Sequence, residues 1–372
     1  MALLSSRETV ERKKKAKVVV GLSGGVDSSL AAAILKQEGY DVVGTTMMIF
    51  DGSPAVKKSE KHGCYGPGEK EDVEMADSVC KKLGIPLHVV DLRKEYGRYV
   101  LDYFRREYLA GKTPNPCIVC NQVVKFGFLL EKVRQAGIYF DYFATGHYAQ
   151  IERSKERFFL KRAIDVSKDQ TYFLYTLSQE QLSRTLFPVG GYTKKTVREM
   201  ARFLGLETAA RPESQDFVSS GGYTSLFSDQ VVKEGDIVDV DGNILGRHRG
   251  IIYYTVGQRR GLGISSERPF YVTKLEAQGN RVVVGEREGL FSDSLTTTNL
   301  NLIAIDRLDR PYKVKAKIRL KHKEADATVF PLRHGRAKIV FNRPQMSVTP
   351  GQSAVLYSGD MVFGGGIIER AI

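Results

Sequence analysis

A parallel α/β domain followed by two small antiparallel β domains is the fold class that these 372 residues predict. Three observations carry it. Strand and helix patterns alternate through the first half of the chain. That pattern changes near residue 208. From Asp236 onward the sequence breaks into short alternating apolar segments separated by glycine turns. The segments divide the chain at 1–207, 208–285 and 286–372, within the two or three domains that its length allows.

Lys17 to Val20 reads as a short buried strand, and Ser28 to Glu38 as a helix with Leu30, Ile34 and Leu35 inward. Tyr40 to Met47 is a second strand, Glu71 to Leu83 a helix, and Pro86 to Asp91 a third strand. Tyr139 to Thr145 ends another, in DYFATGHY. Ligands of such a sheet are expected beyond the C-terminal ends of its strands. Later segments such as DIVDVDGNILG and RPFYVTKLEAQGNRVVVG form the central β domain. VKAKIRL, ATVFPL, RAKIVF and SAVLYSG belong to the last, read as a barrel.

Between the first strand and the first helix stands Gly21-Leu22-Ser23-Gly24-Gly25-Val26-Asp27-Ser28. Its glycines let backbone approach an anion, and the helix N-terminus aims N–H groups at it. Ser23 and Ser28 add hydroxyl donors, and Asp27 suits Mg²⁺ beside a triphosphate. The loop lacks the lysine of a Walker motif, so simple γ-phosphate hydrolysis is not its best reading.

Four cysteines lie in the first third: Cys64, Cys80, Cys117 and Cys120. Cys80 falls on the apolar stripe of a helix with Val73, Ala76 and Leu83 and reads as core. Cys117 and Cys120 lie in GKTPNPCIVCN, where Pro114 and Pro116 predict a fixed, non-helical loop presenting the thiols. Redox couple, half a zinc site, cluster ligands and activated nucleophile all remain open for this pair.

Net charge of +13 suits a polyanionic partner, although a merely basic soluble protein has the same balance. Lys313, Lys315, Lys317, Arg319, Lys321 and Lys323 alternate with apolar residues. A strand would set them about 6.6 Å apart on one face, with no acid between them and expected at a sheet edge with nothing to neutralise them, as a phosphate-binding ribbon or a solvated surface. Arg259 and Arg260, in VGQRRGLG, form a second basic candidate. No apolar run reaches the roughly 18–20 residues that span a bilayer, and Lys13 to Lys15 lack the apolar stretch of a secretory signal. A cytoplasmic monomer is expected, with its cysteines reduced or metal-bound.

SGGVDSS, GKTPNPCIVCN with KFG, ATGHY, SKDQTYFL, ESQD, VGQRRGLG and TPGQ…GGGIIE stand in a telling order. From Val18 to Glu369 the chain resembles the tRNA-specific 2-thiouridylases, a family of pyrophosphate-loop ATPases. The resemblance implies ATP-dependent adenylation of the wobble uridine, sulfur transfer to its C2, and a sulfur donor protein as partner. It implies ATP at Gly21 to Ser28, with Met47 and Gly146 near the nucleotide. Cys120 falls on the nucleophile, and Asn115, Pro116 and Cys117 on the base-contacting segment. His147, Lys168, Asp169, Gln170, Arg319, Leu320 and Gln352 fall on tRNA contacts; His147 also reads as a structural histidine.

Two departures stand out. Many members carry Asp where this chain has Cys117, and the family's second catalytic cysteine corresponds to Val218. Cys64, in HGCYGPGE, is read as a Gly/Pro loop beside the site. With Cys117 and Cys120 it would give three thiolates, a set suited to a [4Fe–4S] cluster with one iron open. Zinc explains sulfur handling less well. The rival keeps Cys120 as nucleophile with Cys117 or Cys64 as the second thiol. Another pyrophosphate-loop synthetase would leave TPNPCIVCN unexplained, and a non-catalytic RNA binder would leave the loop unexplained.

Overall fold

The computed structural model describes residues 16–57, 63–212, 216–218, 223–228, 232–265 and 267–372. The chain forms two compact units, Met1–Tyr99 with Cys117–Gly222, and Val100–Pro116 with Tyr223–Ile372.

In the first unit, β1 (Lys17–Gly21), β2 (Asp41–Met48), β4 (Leu87–Asp91), β5 (Tyr142–Thr145) and β8 (Thr185–Leu186) build one sheet in the order β4-β2-β1-β5-β8. All its neighbours run parallel. Val18, Val19 and Val20 have no solvent exposure, as expected for a central strand covered on both faces. The Val26–Gln37 helix buries Leu30, Ile34 and Leu35, and the Glu69–Leu83 helix buries Ala76, Val79 and Cys80. Strand order reverses direction on either side of β1, which opens a crevice at the C-terminal ends of β1 and β5.

Two small ladders complete this unit. β6 (Ala149–Ser154) and β7 (Arg157–Arg162) make an antiparallel hairpin. β3 (Gly63–Tyr65) pairs in parallel with β9 (Asp216–Val218), joining Gly63 to Asp216 and Tyr65 to Val218. Cys64 therefore sits in a short strand, not in the Gly/Pro loop its sequence suggests; the partner that makes it a strand is about 150 residues away.

In the second unit, β10 (Gly235–Val238), β11 (Ile244–His248), β12 (Tyr271–Glu276) and β13 (Arg281–Gly285) form a four-stranded sheet, antiparallel except for β10–β13. β14 (Phe291–Leu302), β15 (Tyr312–Lys317), β16 (Ala325–Pro331), β17 (Ala337–Met346), β18 (Ser353–Ser358) and β19 (Met361–Ala371) follow. They pair in the order β14-β17-β16-β15-β18-β19, and β14–β19 closes the barrel. Its core includes Leu295, Val314, Ala316, Val329, Ile339 and Leu356. The Asp102–Leu109 helix joins this unit through Phe104 and Tyr108, which pack on Tyr223.

The basic segment differs from expectation in two ways. Its strand ends at Lys317, and β15 is paired on both sides rather than lying at an edge. Lys315 stands opposite Asp326, so an acid on the next strand partly offsets the row. Lys313 and Lys315 remain exposed above buried Val314 and Ala316.

Candidate active site

The crevice beside β1 holds an open cleft of about 270 Å³. Gly21, Leu22, Ser23, Gly25, Val26, Asp27 and Ser28 line it, together with Met47, Gly146 and His147. The Val26–Gln37 helix begins at Gly25 with no side chain capping it, which leaves its first N–H groups to the cleft. The loop is internally braced: Ser28 Oγ accepts from Ser23 N at 3.2 Å and donates to the Gly25 carbonyl at 3.1 Å.

Gly24 does not line the cleft. It holds φ +68, and a Cβ there would lie 2.6 Å from Arg211 Nη1 and 2.8 Å from the Asp72 carbonyl. Arg211 donates to the Gly24 carbonyl at 2.8 Å and pairs with Asp72 at 2.7 Å, tying the loop to the Glu69–Leu83 helix. Gly146 presses on the loop from the β5 side, where a Cβ would lie 2.6 Å from the carbonyl carbon of Asp27. Its place is a close backbone approach, which only glycine permits.

Asp27 is already engaged. Lys194 Nζ donates to both of its carboxylate oxygens at 2.7 Å, and Tyr148 Oη donates to Oδ1 at 2.8 Å. Lys125 and Arg211 also line the cleft. The loop motif gives no sign of them, of Lys194 or of Tyr148, because all four lie outside it.

The cysteine segment corrects an expectation. Pro116 starts a helix, Pro116–Val119, which widens into a π-helix over Cys120–Phe128. Proline at the first helical position needs no N–H partner, so it initiates here rather than forbids. Cys117 and Cys120 thus stand one turn apart on a helix. Asn121, buried beside them, donates to the Phe173 carbonyl at 3.1 Å and ties this helix to the SKDQTYFL turn.

Cys120 is buried, and burial pushes its thiol up to about 11, with Lys125 pulling the other way. Cys64 is exposed and lines the cleft. Cys120, Cys64 and Cys117 all lie near enough to buried Tyr96 to add to the upward shift that burial imposes on its hydroxyl. Cys64 also lies near enough to Cys120 to add to the rise of its thiol. Among the described residues no three His, Cys, Asp or Glu side chains are grouped to hold a metal ion. The three thiolates expected on Cys64, Cys117 and Cys120 are therefore not assembled as cluster ligands. Cys80 is core, as its stripe predicts.

Of the expected tRNA contacts, His147 bonds Thr145 Oγ1 through Nδ1 at 2.7 Å, and burial followed by Lys125 holds it well below the usual histidine range. It is neutral at pH 7. Gln170 lines the cleft and accepts from Tyr148 N at 2.9 Å. Asp169 is buried, accepts from Ala163 N and Thr171 Oγ1, and lies 3.8 Å from Arg162. Lys168 is half-buried and Leu320 exposed. Arg319 donates to the Ser347 carbonyl at 3.4 Å. Gln352 spends its side-chain amide on Thr113. Asn115 and Cys117 are half-buried and Pro116 buried. Ser214 and Gln215 of ESQD lie outside the described residues.

Residues 16–219 match the family described as tRNA methyl transferase HUP domain, 227–286 the tRNA methyl transferase PRC-barrel domain, and 292–368 the Aminomethyltransferase beta-barrel domain. A tRNA-specific 2-thiouridylase MnmA of Acetivibrio thermocellus is 49% identical over 362 residues, covering 95% of this chain and 99% of that protein. This chain belongs to the tRNA-specific 2-thiouridylase family. A second 2-thiouridylase, from Clostridioides difficile, is 46% identical over 96% of this chain and 99% of its own length. Among solved structures, the U34-tRNA thiolase NcsA from Methanococcus maripaludis with its [4Fe-4S] cluster is 18% identical. That match has a TM-score of 0.35 and covers 56% of this chain and 66% of the other, too distant to bear on the thiouridylase site.

Proposed function

We propose that this chain makes 2-thiouridine at the wobble position of tRNA, activating the uridine with ATP and supplying sulfur from cysteine thiols. One observation carries the proposal: the phosphate loop and the exposed thiol of Cys64 line the same cleft. ATP lies along the loop N–H groups, with Met47 and Gly146 beside the nucleotide. Mg²⁺, when bound, would shield phosphate charge, and Asp27 is the cleft carboxylate suited to hold it.

Uridine O2 attacks the α-phosphorus; the O2–P bond forms, the N3 proton passes to solvent, and pyrophosphate leaves with the electron pair of the broken P–O bond. C2 now carries AMP as its leaving group. The second thiol of the usual relay is absent at Val218, and Cys64 takes its place from the adjacent strand. Exposure lets Cys64 attack the outer sulfur of a persulfide on a sulfur donor protein; the donor's S–S bond breaks, the donor leaves as a thiol, and Cys64 carries the persulfide. The terminal sulfur attacks C2, and AMP departs. Cys120 then attacks Cys64 Sγ and breaks the S–S bond. The base keeps the outer sulfur and regains its N3 proton from the Cys120 thiol. A Cys64–Cys120 disulfide remains, which a cellular dithiol reopens.

Residues 286–372 act as the tRNA-binding barrel, 1–207 as the activating domain and 208–285 as the central domain. Asn115, Pro116 and Cys117 lie against the base, and His147, Lys168, Gln170, Arg319 and Leu320 touch tRNA. We place the reaction, on a monomer, in the cytoplasm, where tRNA and ATP meet.

The test is thiolation of tRNA transcript by full-length protein, with iron measured in the same sample. Iron-free wild type should be active, and Cys64→Ser and Cys120→Ser inactive, while both variants still release pyrophosphate. Mass spectrometry should find the persulfide on Cys64 in the Cys120→Ser variant loaded with sulfur in the absence of tRNA. An active Cys64→Ser variant, or activity strictly proportional to bound iron and labile sulfide, overturns the thiol route. Loss of thiolation only in Cys117→Ser would assign the second thiol there instead.

A further inference from the structure

SGGVDSS contains no lysine, and its one charged residue has the same sign as a polyphosphate. From the loop itself only backbone N–H groups and the Ser23 and Ser28 hydroxyls would face the β- and γ-phosphates beside that carboxylate. Of the cations that line the cleft besides Lys194, Arg211 is paired with Asp72 and Lys125 lies outside the loop on the cysteine helix. We propose that Lys194 is the polyphosphate-binding lysine of this site, engaging the two phosphates that leave as pyrophosphate. The inference rests on the ATP reading above and extends it to a residue outside the loop.

Lys194 opens the Lys194–Phe203 helix, whose N-terminus is fixed by Thr193 Oγ1 accepting from Thr196 N at 3.2 Å. Its own backbone N–H donates to Asp165 at 3.0 Å, so the residue that carries the ammonium is held at its root. The side chain runs inward and is only 10% exposed. It lines the cleft with Ser23, Gly25, Asp27 and Ser28. Lys195, the next residue, points the other way and is 87% exposed.

A staple between helix and loop is the plainer reading of the Lys194–Asp27 pair. Two features argue beyond it. Stapling is already done by Arg211, which donates to the Gly24 carbonyl and pairs with Asp72 through a planar, multidentate head. A largely buried ion pair is also weak as a source of net stability, because desolvation offsets most of its attraction. The pair lies in the cleft itself, where an ammonium next to phosphate-directed N–H groups serves binding directly.

Tyr148 makes an exchange of partners feasible. Its hydroxyl stays on Asp27 Oδ1, and its ring lies 5.6 Å from Lys194 Nζ. When Lys194 turns toward phosphate, Asp27 keeps a donor and the ammonium keeps the π-face beneath it. Lysine suits this task because its ammonium is a compact charge on a flexible stem.

The test compares full-length wild type with Lys194→Met, Lys194→Gln and Lys194→Arg by calorimetric titration with a non-hydrolysable ATP analogue and with AMP. Lys194→Gln keeps a donor for Asp27, so it guards against loss of folding in the Met variant. Met and Gln should weaken the ATP analogue at least tenfold and leave AMP within about twofold, and Arg should recover part of the loss. Pyrophosphate release at saturating ATP should fall in the same order. Equal weakening of ATP analogue and AMP, or no weakening, overturns the proposal and leaves Lys194 a structural staple. Wild-type protein that binds neither nucleotide defeats the ATP reading itself. A check independent of variants is reductive methylation of wild type: the ATP analogue should shield Lys194 Nζ more than AMP does, and equal shielding counts against the proposal.

Discussion

Gln352 donates its side-chain amide to the Thr113 carbonyl at 2.8 Å, while Thr113 N donates to the Pro350 carbonyl at 2.9 Å. The C-terminal barrel thereby grips the stretch of chain that leads into Asn115 and Pro116. Gly351 lies between these two bonds at φ +89, where a Cβ would lie 2.9 Å from Lys112 and 3.0 Å from Thr113 N. Gln352→Ala should lose about 0.5–1.5 kcal/mol of stability, and Gly351→Ala more, about 1–3 kcal/mol, from strain plus collision. Urea unfolding checks the order. Both variants should lower thiolation more than ATP affinity.

Gly146→Ala tests the back wall of the nucleotide cleft. Its Cβ would meet backbone of Asp27 and Ser28, which cannot rotate away as a side chain can. The loop must move, and nucleotide affinity should drop at least tenfold, about 1.4 kcal/mol. Titration with the ATP analogue reads this directly; unchanged affinity would separate Gly146 from the loop's geometry.

Alkaline stability follows from two buried thiols. Burial raises Cys80 to about 12 and Cys120 to about 11, whereas an unfolded cysteine releases its proton near 8.5. Above that pH the unfolded state binds fewer protons, so stability falls as pH rises. The stabilisation is complete below about 8.5 and is lost toward the folded values. The slope is about 1.4 kcal/mol per pH unit for each thiol. Unfolding at pH 8, 9 and 10 should show this decline, and Cys80→Ser should flatten it.

Replacing Lys313, Lys315 and Arg319 with glutamine should weaken tRNA binding and flatten its salt dependence. Every phosphate that the variant no longer neutralises takes roughly 0.7–0.9 from the log–log slope. Asp326 opposite Lys315 lowers what that residue contributes. Binding measured from 50 to 200 mM salt decides; an unchanged slope would mean that the row is only a solvated surface.

The parts of this molecule legible in its sequence are those set by local physics. β1, its glycine turn and the following helix are encoded within some twenty consecutive residues, and Cys80 shares its helix face with Ala76. Features made by distant partners are not legible. Three residues around Cys64 carry no strand signal without β9, and β15 looks like an edge until β16 and β18 are placed beside it. Pro116 misleads because proline is excluded from a helix interior but favoured at its first position. Lys194 does leave a trace: with Val197 and Ala201 it falls at i, i+3 and i+7 on a buried stripe, where a cation calls for a reason.

Val100–Pro116 packs with residues that follow Tyr223, so the 106 residues Cys117–Gly222 are synthesised in between. At about 5–20 residues per second, a ribosome needs roughly 5–20 s to cross that interval. During that time Phe104 and Tyr108 have emerged without Tyr223 to cover them. The second unit therefore closes only after nearly all of the first has left the ribosome. A nascent chain halted before Tyr223 would expose aromatic surface that chaperones recognise, and a recombinant fragment ending near residue 207 would carry the same exposed helix permanently.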